Sequence, residues 1–401
     1  MMLLLRRAGL RVRSVRKFSS ALDEKVVCLR DSQMGSNMGF NRSLKTTQDA
    51  LNSSSTDWKY RGLWEVGKGE DSDGGSFTSP FSPTAVRNQV QNSVLAMYSS
   101  PLGAIITDPA LMSVPVDDHG FHRGHAVFDT CNVLDGHAYG LEMHINRLLS
   151  SAKLAHIPVT DSSSKELEDI ILATLAAAGR ENGVFCRYWM TVGRGDFHVS
   201  PKGCIGGHSF YVVGWGVVHE TWARDEEKAV KEAVVSTPLK PKLLANMKSN
   251  NYMINALTAM EAEEKGGNLG FQVDAEGYLQ EASISCVGIV EEDGCMRTPP
   301  FDSILASTTV KRRVNSKDTI ILPLPVRPYH HPMLIGVSNV VYKAKEVFLL
   351  GGHHVVPVGC VGDVVIGDGS RGPVCKRLQE MQHSDMKNPD MIHRIPFELY
   401  N

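Results

Sequence analysis

Residues 246–267 read NMKSNNYMINALTAMEAEEKGG. Ser249, Asn250 and Asn251 can each cap a first helical turn, Met253, Leu257 and Met260 recur at i, i+4 and i+7, and Gly266-Gly267 supplies a stop. The spacing predicts a helix with that apolar stripe, and it sets Lys248 just outside the positive end. An ammonium beside unpaired amides is destabilised, so its pKa falls and the neutral, nucleophilic amine becomes available. A surface lysine that merely precedes a helix is the commoner case, so the weight must come from the rest of the chain.

At 401 residues the chain suits two domains plus extensions. Charged residues make up 21% and the formal net charge is -2, which gives no basic field for nucleic acid. No run of 18 apolar residues occurs, so no membrane span is expected. The eight cysteines form no CxxC pair and no zinc spacing, and are read as reduced thiols. The first 22 residues carry Arg6, Arg7, Arg11, Arg13, Arg16 and Lys17 with no acid, the composition of an organelle transit peptide. Its modest serine content favours a mitochondrial matrix, with a chloroplast as the alternative.

Residues 23–92 are polar and broken, too poor in apolar surface to offset ordering entropy, and are expected to be irregular or to lie as an arm on the globular part. Residues 93–218 read as a small α+β domain, with a hairpin signal at Asp135-Gly136 and two helices, LEMHINRLLSSAKLAHI and KELEDIILATLAAAGRENG. A charged stretch at 219–228 reads as a linker. Residues 229–396 read as a larger domain with a β-meander marked by turns at Asp274–Gly277 and Asp293-Gly294, followed by a tail at 397–401.

Several residues are candidates for chemistry. Glu281, among apolar neighbours on the meander, is placed to face a cleft or a cation. Ser307, Thr308 and Thr309 precede a short basic helix, where hydroxyls and free amides suit an anion. Arg123 lies between a glycine-containing loop and the AVFDT strand and can present its fork to phosphate. The histidines of DHGFHRGHAVFDT suggest a metal, but Gly120 and Gly124 break a helix and no acid partner is evident, so no metal site is assigned. IGDGSRGPVCKRL fits the dinucleotide pattern G-x-G-x-x-G, yet only 29 residues follow Gly372, too few to complete a βαβ unit.

Taken in order, HRGHAVFDT, YGLEMHINRLLSSA, KSNNYMINALTAMEAEEKG, DAEGYLQEAS and IGDGSRGP resemble the blocks of the fold-type IV pyridoxal-phosphate enzymes, which include branched-chain and D-amino-acid transaminases and aminodeoxychorismate lyase; the plant-type D-amino-acid transaminase-like branch is the nearest in pattern. The resemblance runs from about Ala96 to Pro396. It implies an α+β fold of two domains, a smaller α/β N-terminal one and a larger C-terminal one with a β-meander or barrel-like core, and pyridoxal 5'-phosphate in the cleft between them. It implies that Lys248 and Glu281 are catalytic, Lys248 forming the Schiff base and Glu281 pairing with the pyridine nitrogen, while Arg123 and the Ser307-Thr308-Thr309 turn hold the phosphate. The activity implied is a ping-pong transfer of an amino group between a small amino acid, of D or branched-chain type, and a 2-oxo acid, in a homodimer.

The sequence departs from the family pattern in three places. Cys286 stands where an asparagine is usual, Ser307 takes a glycine position, and Gly352 with His353 replaces a hydroxyl residue that binds phosphate. Substrate carboxylate candidates are Arg187, Arg194 and His198. The competing activities are pyruvate elimination by the lyase, and cofactor binding with little or no turnover.

Overall fold

The structure, a computed structural model, describes residues 26–28, 94–159, 164–216, 227–301, 303–315, 327–328, 341–352 and 354–400. The expected transit peptide at 1–22, nearly all of the polar extension and most of the 219–228 linker lie outside the described residues.

Alternating apolar residues in the first half build one large sheet. Its strands are β1 (Val26–Cys28), β2 (Val94–Ser99), β3 (Ala104–Ile106), β4 (Ala126–Leu134), β5 (His137–Tyr139), β6 (Val184–Thr191) and β7 (Ser209–Gly216), in the order β1-β3-β2-β7-β6-β4-β5. A late strand, Ile392–Arg394, extends the β5 edge. The outermost strand β1 pairs antiparallel with β3, so the arm expected from the polar extension is laid on the sheet at these three residues. The Asp135-Gly136 signal is a tight turn: both residues have positive φ (47° and 71°), and Leu134 pairs with His137 across it.

Three helices belong to this half, α1 (His119–Arg123), α2 (Leu141–Leu154) and α3 (Ser164–Ala178). Helix α2 turns Leu141, Ile145, Leu148 and Ala152 inward against β4, and α3 packs Leu167, Ile171 and Leu175 on β2 and β7. Each large apolar side chain among these, when fully buried, contributes about 1.5–3 kcal/mol.

The second half supplies β8 (Val230–Glu232), β9 (Val234–Val235), β10 (Phe271–Val273), β11 (Leu279–Ala282), β12 (Cys286–Val290), β13 (Met296–Thr298), β14 (Arg327–Pro328), β15 (Glu346–Gly351), β16 (His354–Val361) and β17 (Val364–Val365). Strands β11, β10 and β9 form a three-stranded sheet; the remainder form a seven-stranded sheet in the order β14-β13-β12-β15-β16-β17, with β8 parallel to β16. Phe271, Leu279, Val287, Ile289 and Leu349 fill the space between them. The expected meander is present as the β10-β11 and β12-β13 hairpins, and among the described residues no sheet closes into a barrel.

The helices here are α4 (Lys242–Ala245), α5 (Met253–Glu264), α6 (Thr308–Asn315) and α7 (Pro373–Asp385). Helix α5 differs from the helix expected after Lys248 in two respects. It begins at Met253, with Tyr252 at its N-cap and no capping side chain, so Lys248 stands a full turn ahead of it. Its Met253, Leu257 and Met260 stripe faces outward, while Asn255, Thr258 and Ala262 are buried. The reason is close approach: a Cβ added at Gly270, which has φ +80°, would lie 3.0 Å from both Ala262 Cβ and the Thr258 carbonyl oxygen, so only small residues fit on that face.

Helix α7 accounts for the dinucleotide-like pattern. Its first free amides, Val374 N–H and Cys375 N–H, donate to Glu346 Oε1 and Oε2 at 2.9 and 2.8 Å. The anion at this helix end is the protein's own carboxylate.

Candidate active site

Lys248 is held in place by β4. Its carbonyl accepts from Phe128 N–H at 2.8 Å, its own N–H donates to Ser151 Oγ at 3.1 Å, and Ser249 bridges to Val127. The side chain enters a cleft of about 500 Å³ also lined by Arg147, Lys240, Tyr252, Asn255, Glu281, Ser283, Cys286, Ser307, Thr308 and Gly352. Lys248 Nζ donates to Tyr252 Oη at 3.3 Å and lies 4.7 Å from the Phe128 ring centroid. Burial, and then the like charge of Arg147 and Arg187, outweigh Asp129 and Glu281 and push the amine down to about 8. The acidity expected of Lys248 is therefore present, but its source is burial and neighbouring guanidiniums in place of a helix end.

Glu281, on β11, lines the same cleft, and burial pushes its carboxyl above the usual range. Lys240, Lys248 and the Leu305 amide pull the other way. Cys286 is buried at the cleft wall, and its thiol is pushed up to about 12 by burial and by Glu281, so it stays protonated.

The arginine lining the cleft is Arg147, not Arg123. Arg123 faces a separate cavity with His119, His125 and His156, and donates to the Phe197 and His122 carbonyls. Arg147, on α2, forks onto Asp129 (Nε to Oδ2 2.7 Å, Nη2 to Oδ1 2.8 Å), and His144 Nδ1 meets the same carboxylate at 3.0 Å. Asp129 is fully buried, and Arg147 and His144 hold it well below the usual carboxylate range despite that burial. Nε and Nη2 of Arg147 are taken up by Asp129 and His144, and no hydrogen bond from its Nη1 to a described protein group is seen, while the residue lines the cleft. The sequence carried a readable signal: His144 and Arg147 stand at i, i+3 on a helix whose apolar positions face β4, opposite the lone acid of that strand.

Ser307 and Thr308 line the cleft at the start of α6, where Ser307 Oγ accepts from Val310 N–H at 3.2 Å. Thr309 instead donates to the Gly352 carbonyl at 2.9 Å, tying α6 to the turn after β15. His353 lies outside the described residues. Among the carboxylate candidates, Arg187 is wedged between the Phe128 and Trp215 rings, 5.2 and 5.4 Å from their centroids, and donates to Thr130 Oγ1. Arg194 is half exposed and forks onto Asp117, and His198 sits in the same outer loop with its carbonyl against His119 Nε2. None of these three candidates lines the Lys248 cleft, although Arg187 is close enough to act on the Lys248 amine through its charge.

The family described as "Amino-transferase class IV" matches residues 126–359, which span Asp129, Arg147, Lys248, Glu281 and Thr308. The chain belongs to the class IV aminotransferases. It is 34% identical over 311 residues to "D-amino-acid transaminase, chloroplastic" of Arabidopsis thaliana, covering 76% of this chain and 80% of the relative. It is 29% identical over 286 residues to the branched-chain-amino-acid aminotransferase of Escherichia coli K12, covering 67% and 86%. The fold matches that of the branched-chain amino acid aminotransferase from Thermobaculum terrenum, solved in its PLP-form, at a TM-score of 0.64 and 19% identity over 75% of this chain and 98% of the other.

Class IV aminotransferases use pyridoxal 5'-phosphate, and the cleft of this aminotransferase fits that group. It needs a cation and amides for a phosphate, an amine for an aldehyde, and an acid for a ring nitrogen. Arg147 with α6, Lys248 and Glu281, from different elements around one cleft, are groups of these kinds and would hold it. Two buried atoms on its wall, Asn255 Oδ1 and Ser283 Oγ, have no protein partner among the described residues, which is costly unless a polar ligand meets them.

Proposed function

We propose that this aminotransferase moves the amino group of a small D-amino acid to a 2-oxo acid, with Lys248 as the reacting amine and Glu281 as the acid opposite it. The observation that carries the site assignment is the placement of the Lys248 amine, its pKa pushed down to about 8, in one cleft with Glu281 and Arg147. The D-configuration is supported by the 34% identity to the Arabidopsis thaliana relative, whose name specifies D-amino acids. Pyridoxal 5'-phosphate, when bound, supplies an aldehyde for amines and a ring that withdraws electrons from the substrate α-carbon.

The chain's residues do the rest. Neutral Lys248 would provide the nucleophile, give way to the substrate amine, and then take the proton from the substrate α-carbon and deliver it to the former aldehyde carbon. Glu281, ionised, would keep a proton on the ring nitrogen. Arg147 Nη1 and the amides and hydroxyls of Ser307 and Thr308 would hold the phosphate, with the Gly352 turn beside them. Arg187, desolvated between two rings close to Lys248, is the candidate for the substrate carboxylate. The reading also takes the chain as two domains joined near 219–228, since the strands within 94–216 all belong to the first sheet, which Val26–Cys28 and Ile392–Arg394 extend at its edges, and those within 230–365 build the other two.

The outward Met253, Leu257 and Met260 stripe, 76%, 48% and 55% exposed, supports a homodimer. The basic first 22 residues would direct the chain to an organelle. The name of the Arabidopsis thaliana relative supports a chloroplast and lends nothing to the mitochondrial preference.

The test is the purified enzyme with panels of D- and L-amino acids and 2-oxo acid detection. Oxo acid formed from D-amino acids, lost in Lys248→Ala, is the expected result. Turnover of branched-chain L-amino acids would replace the substrate assignment, and pyruvate release from aminodeoxychorismate alone would make the protein a lyase. In the same preparation Arg147→Gln should weaken cofactor affinity about tenfold or more, the value of a charge-assisted hydrogen bond, while Arg123→Gln leaves it unchanged.

A further inference from the structure

Glu281 shares the cleft wall with a second lysine. Lys240 turns its side chain inward: it is 6% exposed, against 13% for the Glu281 side chain, and its Nζ lies 3.7 Å from Glu281 Oε1. The same ammonium stands 5.0 Å from the Tyr252 ring centroid, on the ring that Lys248 also approaches, at 5.6 Å. A lysine this buried is rare without a partner, and here an acid and an aromatic face provide one. Lys240 and Glu281 also line a second opening, of about 620 Å³, where Asp274 accepts from Gln280 Nε2 at 2.9 Å.

The groups around Glu281 differ in what they do during turnover. The Leu305 amide is a fixed dipole, and the Cys286 thiol and Tyr252 hydroxyl are neutral, their protons held by burial. Lys248 is a cation only until it acts, because the nucleophile is its neutral form. Lys240 is then the cation that stays beside Glu281 when Lys248 gives up its charge.

We infer that Lys240 is a positioning residue for the transamination: it keeps Glu281 ionised and turned into the cleft, so that the acid opposite Lys248 can hold a proton on a heterocyclic nitrogen throughout the cycle. This rests on the role proposed for Glu281. A buried carboxyl with its lasting cation removed takes up a proton, and a neutral acid loses most of its hold on a protonated ring nitrogen.

The test uses the full-length holoenzyme with Lys240→Met, Lys240→Gln, Lys240→Arg and Glu281→Gln. Infrared difference spectra against Glu281→Gln read the protonation of this one carboxyl. At pH 7 the parent and Lys240→Arg should show no protonated-carboxyl band from Glu281, whereas Lys240→Met and Lys240→Gln should show it. The neutral variants should lose about tenfold or more in kcat with KM changed less than about threefold, and Lys240→Arg should return kcat to within about threefold of the parent. Should Lys240→Met misfold, Lys240→Gln carries the comparison. Loss of kcat without the carboxyl band, or parent-like spectra and kcat in both neutral variants, would overturn the role of Lys240. Parent-like turnover in Glu281→Gln would instead overturn the reading of Glu281.

Discussion

In the proposed reaction the chemistry turns on Lys248, and its reactivity is set by what surrounds the amine. With a folded-state pKa of about 8 against 10.5 for the free side chain, it is half neutral near pH 8. Between pH 8 and 10.5 the unfolded chain keeps a proton that the folded chain has shed, so this group's contribution to stability rises with pH across that window. Below pH 8 the enclosed ammonium costs stability in full. In protein stripped of cofactor, reductive trapping of Lys248 by a small aldehyde should therefore reach half its maximal rate near pH 8, where an ordinary lysine does so at about 10.4. A half-point above about pH 10, read by peptide mapping across a pH series, would show that the amine is hydrated and not activated. The sequence singled out this lysine and misread the source of its acidity, because a helix start is a local pattern whereas Arg147 and Arg187 approach from other elements.

At the scale of elements, period and turn chemistry placed α2, α3, the Asp135-Gly136 hairpin and the meander where they are. Orientation was harder to read. In α5 the apolar stripe suggested the packed face, yet Met253, Leu257 and Met260 point out, and the inward face is made of Asn255, Thr258 and Ala262. Hydrophobicity predicts burial only where room exists for large side chains; here the chain passes too close at Gly270. Ala262→Leu should therefore cost about 1–3 kcal/mol through overpacking, measured as a lower denaturant midpoint with an unchanged slope. A variant as stable as its parent would mean that this face is not the packed one. Arg147 takes the place expected of Arg123 at the cleft for a related reason: Arg123 stands next to the right strand in sequence, but α1 ends in the left-handed Gly124 and leaves it outside, while Arg147 arrives from α2 in register with Asp129.

At the scale of the whole molecule, the last segment ties the two halves together. After α7, which packs on β15 and β16, the chain returns to the first sheet and adds β18 (Ile392–Arg394) beside β5. Composition gave no hint of this, since three residues carry too little pattern to reveal their partner. The tie is fixed by Asp385 at the end of α7, 8% exposed, which accepts from Tyr139 Oη of β5 at 2.7 Å and from Arg312 Nη2 of α6 at 2.9 Å. Gln382 Nε2 donates to the same Tyr139 oxygen at 3.2 Å. Asp385→Ala removes one acceptor from a guanidinium and from a buried hydroxyl; because Arg312 is partly solvated, the cost should be about 1–3 kcal/mol, below that of breaking a wholly buried pair. Asp385→Asn keeps an acceptor for Tyr139 and should lose roughly half as much. Thermal unfolding of the two variants should therefore rank parent, Asn, Ala. Equal midpoints for all three would mean that the β18 pairing and the packing of α7 hold the halves together without this carboxylate.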